Sequence, residues 1–515
     1  MLLRRFTESK AGLDRLNGGS EIIMRWTITE THVLRCDGTL RESQDVIVDE
    51  DLIMDVGPGL SRGHSGIEKI IDGKDKLIIP GLVNAHLHSH DRFDKGRFDN
   101  LPLEIWMAAF NPPNGKKDWT AEEIYLRTLL NCIELIKSGT TTVVDDVAHT
   151  DLTSREKIDA VFQAYQDAGL RARVSIIFSD KPYFDTIPFL EEFLPDAVKA
   201  DLVAGQRIKP ETLLALWKDY GRRWRDRVGF VLSPSGPQRS SDRFLKETFR
   251  VSKELDIPVI IHVLETKVQE LTGYLFYNKS LVEHMKSMDL LNRRTNLVHC
   301  VWVNDRDIEL IAEAGANIIH NPVTNLKLGS GIAPVSKMLK AGINVGLGTD
   351  NNSANDSADI MDSMRMAALI NKVTDSDYDT WIGAKEVIKM ATDAGAHCLG
   401  LENEIGELEK GKKADFVVLD LNSLPFTPRH NILHQLVFCE TGESIETVVI
   451  DGRIVCENGK ILTFNEDKIK AAVQEKSEIL FEKIKNSASR AHEILPYVEK
   501  AYRKCIRLSQ VKPVR

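Results

Sequence analysis

Residues 78–93, IIPGLVNAHLHSHDRF, run from an apolar stretch into three histidines spaced two apart, His86, His88 and His90. Alternate residues of a strand share one face, so His86 and His88 project to the same side, within reach of a single ion. The chain has only 14 histidines in 515 residues, yet three stand here, at the end of what reads as a buried strand. That apolar run is the first of eight. The others are GTTTVVDD (139–146), RARVSIIFSD (171–180), RVGFVLSPS (227–235), IPVIIHVLE (257–265), TNLVHCV (295–301), ANIIHNP (316–322) and INVGLGTD (343–350). A loop or an amphipathic helical pattern follows each, the mark of βα units on a parallel sheet. Eight units predict an α/β fold built as a (β/α)8 barrel over residues 81–400. The third and fourth strands have the least support, because their helical spacers are long and proline-containing.

The flanks read differently. Residues 24–80 and 401–465 are rich in short β patterns with glycine turns, and predict one small β-sandwich assembled from both ends. Residues 1–23 read as an N-terminal extension. Residues 466–515 read as a basic helical arm that packs on the barrel or on a neighbouring subunit, which favours a homo-oligomer. Hydrophobic residues make up 42% and charged residues 28%, as in an ordinary globular protein. A net charge of -9 argues against a nucleic-acid surface. No run approaches the roughly 20 apolar residues that span a bilayer, and the first residues lack the apolar core of a secretory signal. Seven cysteines, odd in number and without a CxxC pair, suit reduced thiols in the cytoplasm.

The remaining polar signals fall where a barrel keeps its chemistry. The fifth run ends in His262 with Glu265 three residues on, the sixth in His299, and the eighth in Asp350. Imidazoles and carboxylates at the ends of buried strands are costly unless paired or coordinated. Three histidines and one carboxylate suit one divalent cation, Zn²⁺ or Fe²⁺, with a position left for water.

PGLVNAHLHSH (80–90), SGTTTVVDD (138–146), HVLET (262–266), VHC (298–300), HNPVTNLKLGSGIAPV (320–335), LGTDNNSANDSADIMDSMRMAALI (347–370) and IGELEKGKKADFVVLDL (405–421) together resemble the amidohydrolase superfamily. Within it the likeness is to the branch of S-adenosylhomocysteine/methylthioadenosine deaminases, guanine deaminases and triazine chlorohydrolases. The resemblance implies that His86, His88, His262 and Asp350 hold one metal and that Asp350 accepts a proton from the metal-activated water. It further implies that Glu265 shuttles protons to the substrate ring and that His299 orients the attacking water. Binuclear relatives carry a bridging lysine on the fourth strand; RVGFVLSPS has none, which implies a single metal. The expected reaction is hydrolytic deamination of a small aminated N-heterocycle of purine, pyrimidine, pterin or triazine type. Hydrolytic loss of chloride or alkylamine, or cyclic-amide hydrolysis, is the alternative, and a non-catalytic barrel scaffold the remote one.

Two departures bear on substrate. Adenosine-type members carry a histidine after the fourth strand where this chain has Ser235, and a glycine after the last aspartate where it has Asn351. Both stand among the candidate substrate-facing residues, with His90, Trp106, Phe110, His320 and Asn325. Trp106 and Phe110 lie in a long segment, 91–119, that reads as a lid; their spacing of four equally suits core packing. A structural hydrogen bond is as good an explanation of His320 and Asn325. Asp145 and Asp146 read as loop anchors.

Overall fold

The computed structural model describes residues 25–115, 117–148, 154–204 and 208–511; the expected extension, 1–23, lies outside them. The chain begins with five strands, β1 (Arg25–Leu34), β2 (Leu40–Asp49), β3 (Leu52–Gly57), β4 (Lys69–Asp72) and β5 (Lys76–Pro80). Nine strands follow: β6 (Leu82–His88), β7 (Thr140–Val147), β8 (Arg171–Ile176), β9 (Val228–Phe230), β10 (Val259–Val263), β11 (Thr295–His299), β12 (Asn317–His320), β13 (Val345–Leu347) and β14 (Asp350–Asn351). The last four, β15 (Phe416–Asp420), β16 (Ile445–Ile450), β17 (Arg453–Glu457) and β18 (Lys460–Ile461), return to the first group.

All eight apolar runs become strands, the third and fourth included, and β13 with β14 are two pieces of the eighth. Parallel pairing runs β14-β6-β7-β8-β9 and β10-β11-β12-β13. A bridge between Leu232 and Val259 joins β9 to β10, and β14 pairs with Leu87 and His88 of β6, so the barrel closes. Val83, Ala85, Val144, Val231, Ile260, Val298 and Ile319, from β6, β7, β10, β11 and β12 and the end of β9, fill its interior. Long amphipathic helices cover the outside. One of them, Ala121–Lys137, starts at a reciprocal cap in which Thr120 Oγ1 accepts from Glu123 N and Glu123 accepts from Thr120 N.

The flanking segments combine in one sheet of order β18-β17-β16-β15-β5-β1-β2-β3, with β4 on β1. It wraps its own core of Trp26, Ile28, Val46, Ile78, Phe416 and Val449, giving the sandwich-like piece expected from both ends. The C-terminal helix Ala491–Val511 packs on the same chain. Its Ile494, Val498, Ala501 and Cys505 are buried with Ala108 of the helix Leu103–Phe110 and with Leu190 and Leu271. Among the described residues no helix is long and apolar enough to cross a membrane.

Candidate active site

The histidine pair owes its aim to an irregularity. Asn84 and Leu87 of β6 pair with Val143 and Asp145 of β7, three steps against two, so β6 carries a bulge. Val83 and Ala85 face the barrel interior. After the bulge His86 and His88 face it too, while Leu87 packs outward against the helices. Gly348 permits the close approach of the eighth strand: a Cβ there would lie 2.3 Å from Asn321 Oδ1 and 2.7 Å from the His86 carbonyl.

His86, His88, His262, His299 and Asp350 meet at this end of the barrel, all less than 7% exposed. Asp350 Oδ1 lies 3.1 Å from His88 Nε2 and 3.4 Å from His86 Nε2, and its Oδ2 lies 3.8 Å from His299 Nε2. The far nitrogens are fixed from behind. His88 Nδ1 donates to the Asp146 carbonyl at 2.5 Å, and His262 Nδ1 donates to the Ser235 carbonyl at 2.8 Å. Each bond selects the tautomer that leaves Nε2 as a free lone pair. Neither ring nitrogen of the fully buried His86 makes a hydrogen bond. Such an orphaned donor set, with an adjacent carboxylate, fits a divalent cation. The ligand atoms of His86, His88, His262 and Asp146 lie within 4.8 Å of one another, as do those of His86, His299 and Asp350.

Electrostatics agree with that use. Burial and the neighbouring His86, His299 and His88 hold His262 well below its ordinary value, so it is neutral. Burial also lowers His86. Burial pulls His88 down, but the bond to Asp350 outweighs it and lifts the group to about 10. Glu265, just past β10, has Oε2 3.6 Å from His299 Nε2 and Oε1 without a partner. Burial, helped by the charge of Asp350, raises its carboxyl to about 7.

Backbone strain gathers at the same rim. Ser235, Leu264, His299, Cys300 and Asp350, none of them glycine, have φ between 49° and 76°. That left-handed region costs about 1–2 kcal/mol per residue and persists where the surroundings impose it. At His299 it turns the imidazole inward immediately after Val298, itself an interior residue.

The structure sorts the substrate-facing candidates. Asn325 Oδ1 accepts from His299 Nδ1 at 2.9 Å, and so fixes that ring. Ser235 serves chiefly through its carbonyl; its Oγ lies 3.5 Å from Arg239 Nη1. His90 is half-buried, accepts from Ala148 N, and sits 5.2 Å from the His88 ring and 5.8 Å from Phe110. Trp106 and Phe110 stack on each other at 5.0 Å with Phe98 against their edges. Their helix, Leu103–Phe110, is tied to the site by Glu104, which accepts from Thr266 Oγ1 at 2.5 Å, one residue past Glu265. His320 is buried with both nitrogens unpartnered and is lowered to about 3 by burial and by His299. Asn351 is buried beside Asp350, while its neighbour Asn352 donates to the His88 carbonyl. Asp145 is the loop anchor expected, accepting from Ser89 N and Tyr165 Oη. Asp146 is not confined to that role: its carboxylate stands among the histidines. Nothing in a DD pair distinguishes the two until the facing of β7 is known.

The chain belongs to the amidohydrolase family, which matches residues 77–455. It is 32% identical over 447 residues to a 5-methylthioadenosine/S-adenosylhomocysteine deaminase of Carboxydothermus hydrogenoformans, covering 86% of this chain and 95% of that protein. An adenosine deaminase from Xanthomonas campestris, solved with bound zinc, superposes with a TM-score of 0.76 at 25% identity, over 89% of this chain and 98% of its own. An atrazine chlorohydrolase from Arthrobacter aurescens, also solved with zinc, shares the fold with a TM-score of 0.77 at 23% identity, over 87% and 99%.

Proposed function

We propose that this protein is a metal-dependent aminohydrolase that releases ammonia from a small aminated N-heterocycle by hydrolysis. The observation that carries the reading is the convergence of orphaned imidazole nitrogens and Asp350 beside a carboxyl that titrates near neutrality, Glu265. His86, His88, His262 and Asp350 would hold one divalent cation, Zn²⁺ first and Fe²⁺ second. Bound there, the cation supplies Lewis acidity and lowers the pKa of a coordinated water toward about 7.

The chain's own residues do the rest. Glu265, holding a proton at neutral pH, delivers it to the ring nitrogen next to the carbon under attack, so that the amine-bearing carbon accepts water and the C–N bond breaks. Asp350 takes up the proton that the water gives up and passes it to the departing amine, which leaves as ammonia. His299, aimed by Asn325, holds the attacking oxygen in line. The helix Leu103–Phe110, tied down through Glu104, keeps bulk water out while it is seated.

Relatives named as deaminases of adenosine derivatives support an amine leaving group and a purine-like ring. Ser235 and Asn351 stand against a nucleoside, because neither supplies what adenosine-type members place there. Seven free cysteines support a reducing, cytoplasmic setting.

Elemental analysis combined with an ammonia-release screen over aminated purines, pyrimidines, pterins and triazines tests the reading. One metal per chain with ammonia from one ring class is the expected result. Metal without ammonia, but with halide or alkylamine release, would move the assignment to displacement chemistry. No metal after reconstitution with zinc or iron would end it.

A further inference from the structure

Asp146, the penultimate residue of β7, is fully buried. Each of its carboxylate oxygens accepts one serine hydroxyl, Oδ1 from Ser175 on β8 and Oδ2 from Ser233, just past β9, at 3.0 Å. No lysine or arginine is paired with it among the described residues. His262 Nε2 lies 4.0 Å from Oδ2. A buried carboxylate is costly unless positive charge offsets it, and serine hydroxyls carry none.

The geometry supplies a place for that cation. Asp146, His86, His88 and His262 bring their ligand atoms within 4.8 Å of one another, one carboxylate oxygen and three imidazole nitrogens. Zinc binds such donors at about 2.0–2.2 Å, so ligand atoms around one ion stand at most about 4 Å apart. The 4.0 Å between His262 and Asp146 already meets this limit. A carboxylate oxygen has two lone-pair positions, and the serines take one on each.

We propose that Asp146 is a ligand of the divalent cation in addition to Asp350, so that the site holds it with three histidines and two carboxylates. The inference rests on the metal-hydrolase reading above and adds a ligand to it. One consequence is electrostatic: two carboxylates balance the charge of a divalent cation in a buried site.

The test is zinc affinity of the full-length protein, stripped of metal and titrated in competition with a chromophoric chelator. Asp146→Asn keeps an acceptor for the serines and loses the anionic donor. If Asp146 only anchors the loop, the amide rescues it and affinity holds. The expected result is a loss of about 100-fold or more, at the upper end of or beyond what removing an outer partner costs, with the Asp146→Glu variant retaining more zinc than the Asn variant. A smaller loss in a protein that folds by circular dichroism would overturn the proposal. Should Asp146→Asn not fold, the zinc-loaded wild-type crystal structure decides: an Asp146 oxygen within about 2.3 Å of the metal supports ligation, and one beyond about 3 Å overturns it. If wild-type protein takes up no zinc, the metal-hydrolase reading fails with it; if wild type binds zinc and the Asn variant binds equally, only the role of Asp146 falls.

Discussion

Glu265 has one oxygen without a partner and the other 3.6 Å from His299, which suits a group that holds a proton and hands it on rather than one that binds metal. Glu265→Gln should therefore lower kcat by about 10²–10⁴-fold while leaving metal content at the wild-type level. His262→Ala, by contrast, should lose the metal itself. Elemental analysis of both variants separates the roles, and equal metal loss in the two would sink the distinction. His299 depends on Asn325 for its orientation through a 2.9 Å bond. Asn325→Ala leaves that ring free to turn, so kcat should drop about 10–100-fold with metal retained. Unchanged turnover would mean that the ring is fixed by other contacts. At this scale much of the site was legible: HxH, His262, Glu265, His299 and Asp350 lie at strand ends that the apolar runs themselves announce. Asp146 was not, because its neighbour Asp145 carries the same side chain and only the facing of β7 assigns one to the helices and the other to the barrel interior.

Between elements, the join of barrel to sheet rests on a buried ion pair. Arg171, the first residue of β8, donates Nε to Asp415 Oδ2 at 2.8 Å and Nη2 to Asp415 Oδ1 at 3.2 Å, immediately before β15. The side chains are 3% and 1% exposed, so removing one partner strands the other. Arg171→Ala should cost about 3–5 kcal/mol in urea unfolding; a cost below 1 kcal/mol would show that water or Arg227 takes over the charge. A second element carries a pH signature. Asp359 caps the helix Ile360–Ile370, accepting from Met361 N, and burial raises its carboxyl to about 7. The unfolded chain gives up that proton near pH 4, the folded one near 7. Between those limits the folded state holds the extra proton, so this group's stabilisation is present below pH 4 and is lost as pH rises toward 7. Asp359→Asn keeps the cap and removes the titration. Its urea midpoint should gain on wild type between pH 5 and pH 8, and parallel curves would contradict the assignment.

Across the whole molecule, the C-terminal helix Ala491–Val511 serves as a backing for the helix Leu103–Phe110, which Glu104 ties to Thr266 beside the site. Ile494, Val498, Ala501 and Cys505 bury Ala108, on the same helix as Glu104, Trp106 and Phe110. Deleting residues 491–515 should lower Tm and raise amide hydrogen exchange across 103–110 while metal stays bound. If exchange there is unaffected, the lid is held by Glu104 and its own aromatic stack alone.

By itself the sequence determined the number and order of the barrel strands, because a buried parallel strand must be a short apolar run and eight of them were countable. It also determined which strand ends carry imidazole and carboxylate, since chemistry-bearing residues at the end of an apolar run stand out from it. Only the tertiary structure decided their aim. The bulge between Asn84 and Leu87 and the left-handed turns at His299 and Asp350 change the facing of a side chain without leaving a mark in the pattern, because a one-residue slip reverses a two-residue period. The seating of Leu103–Phe110 beside the site and the placing of Asp146 among the histidines likewise come from contacts between segments distant in the chain, which local alternation does not encode.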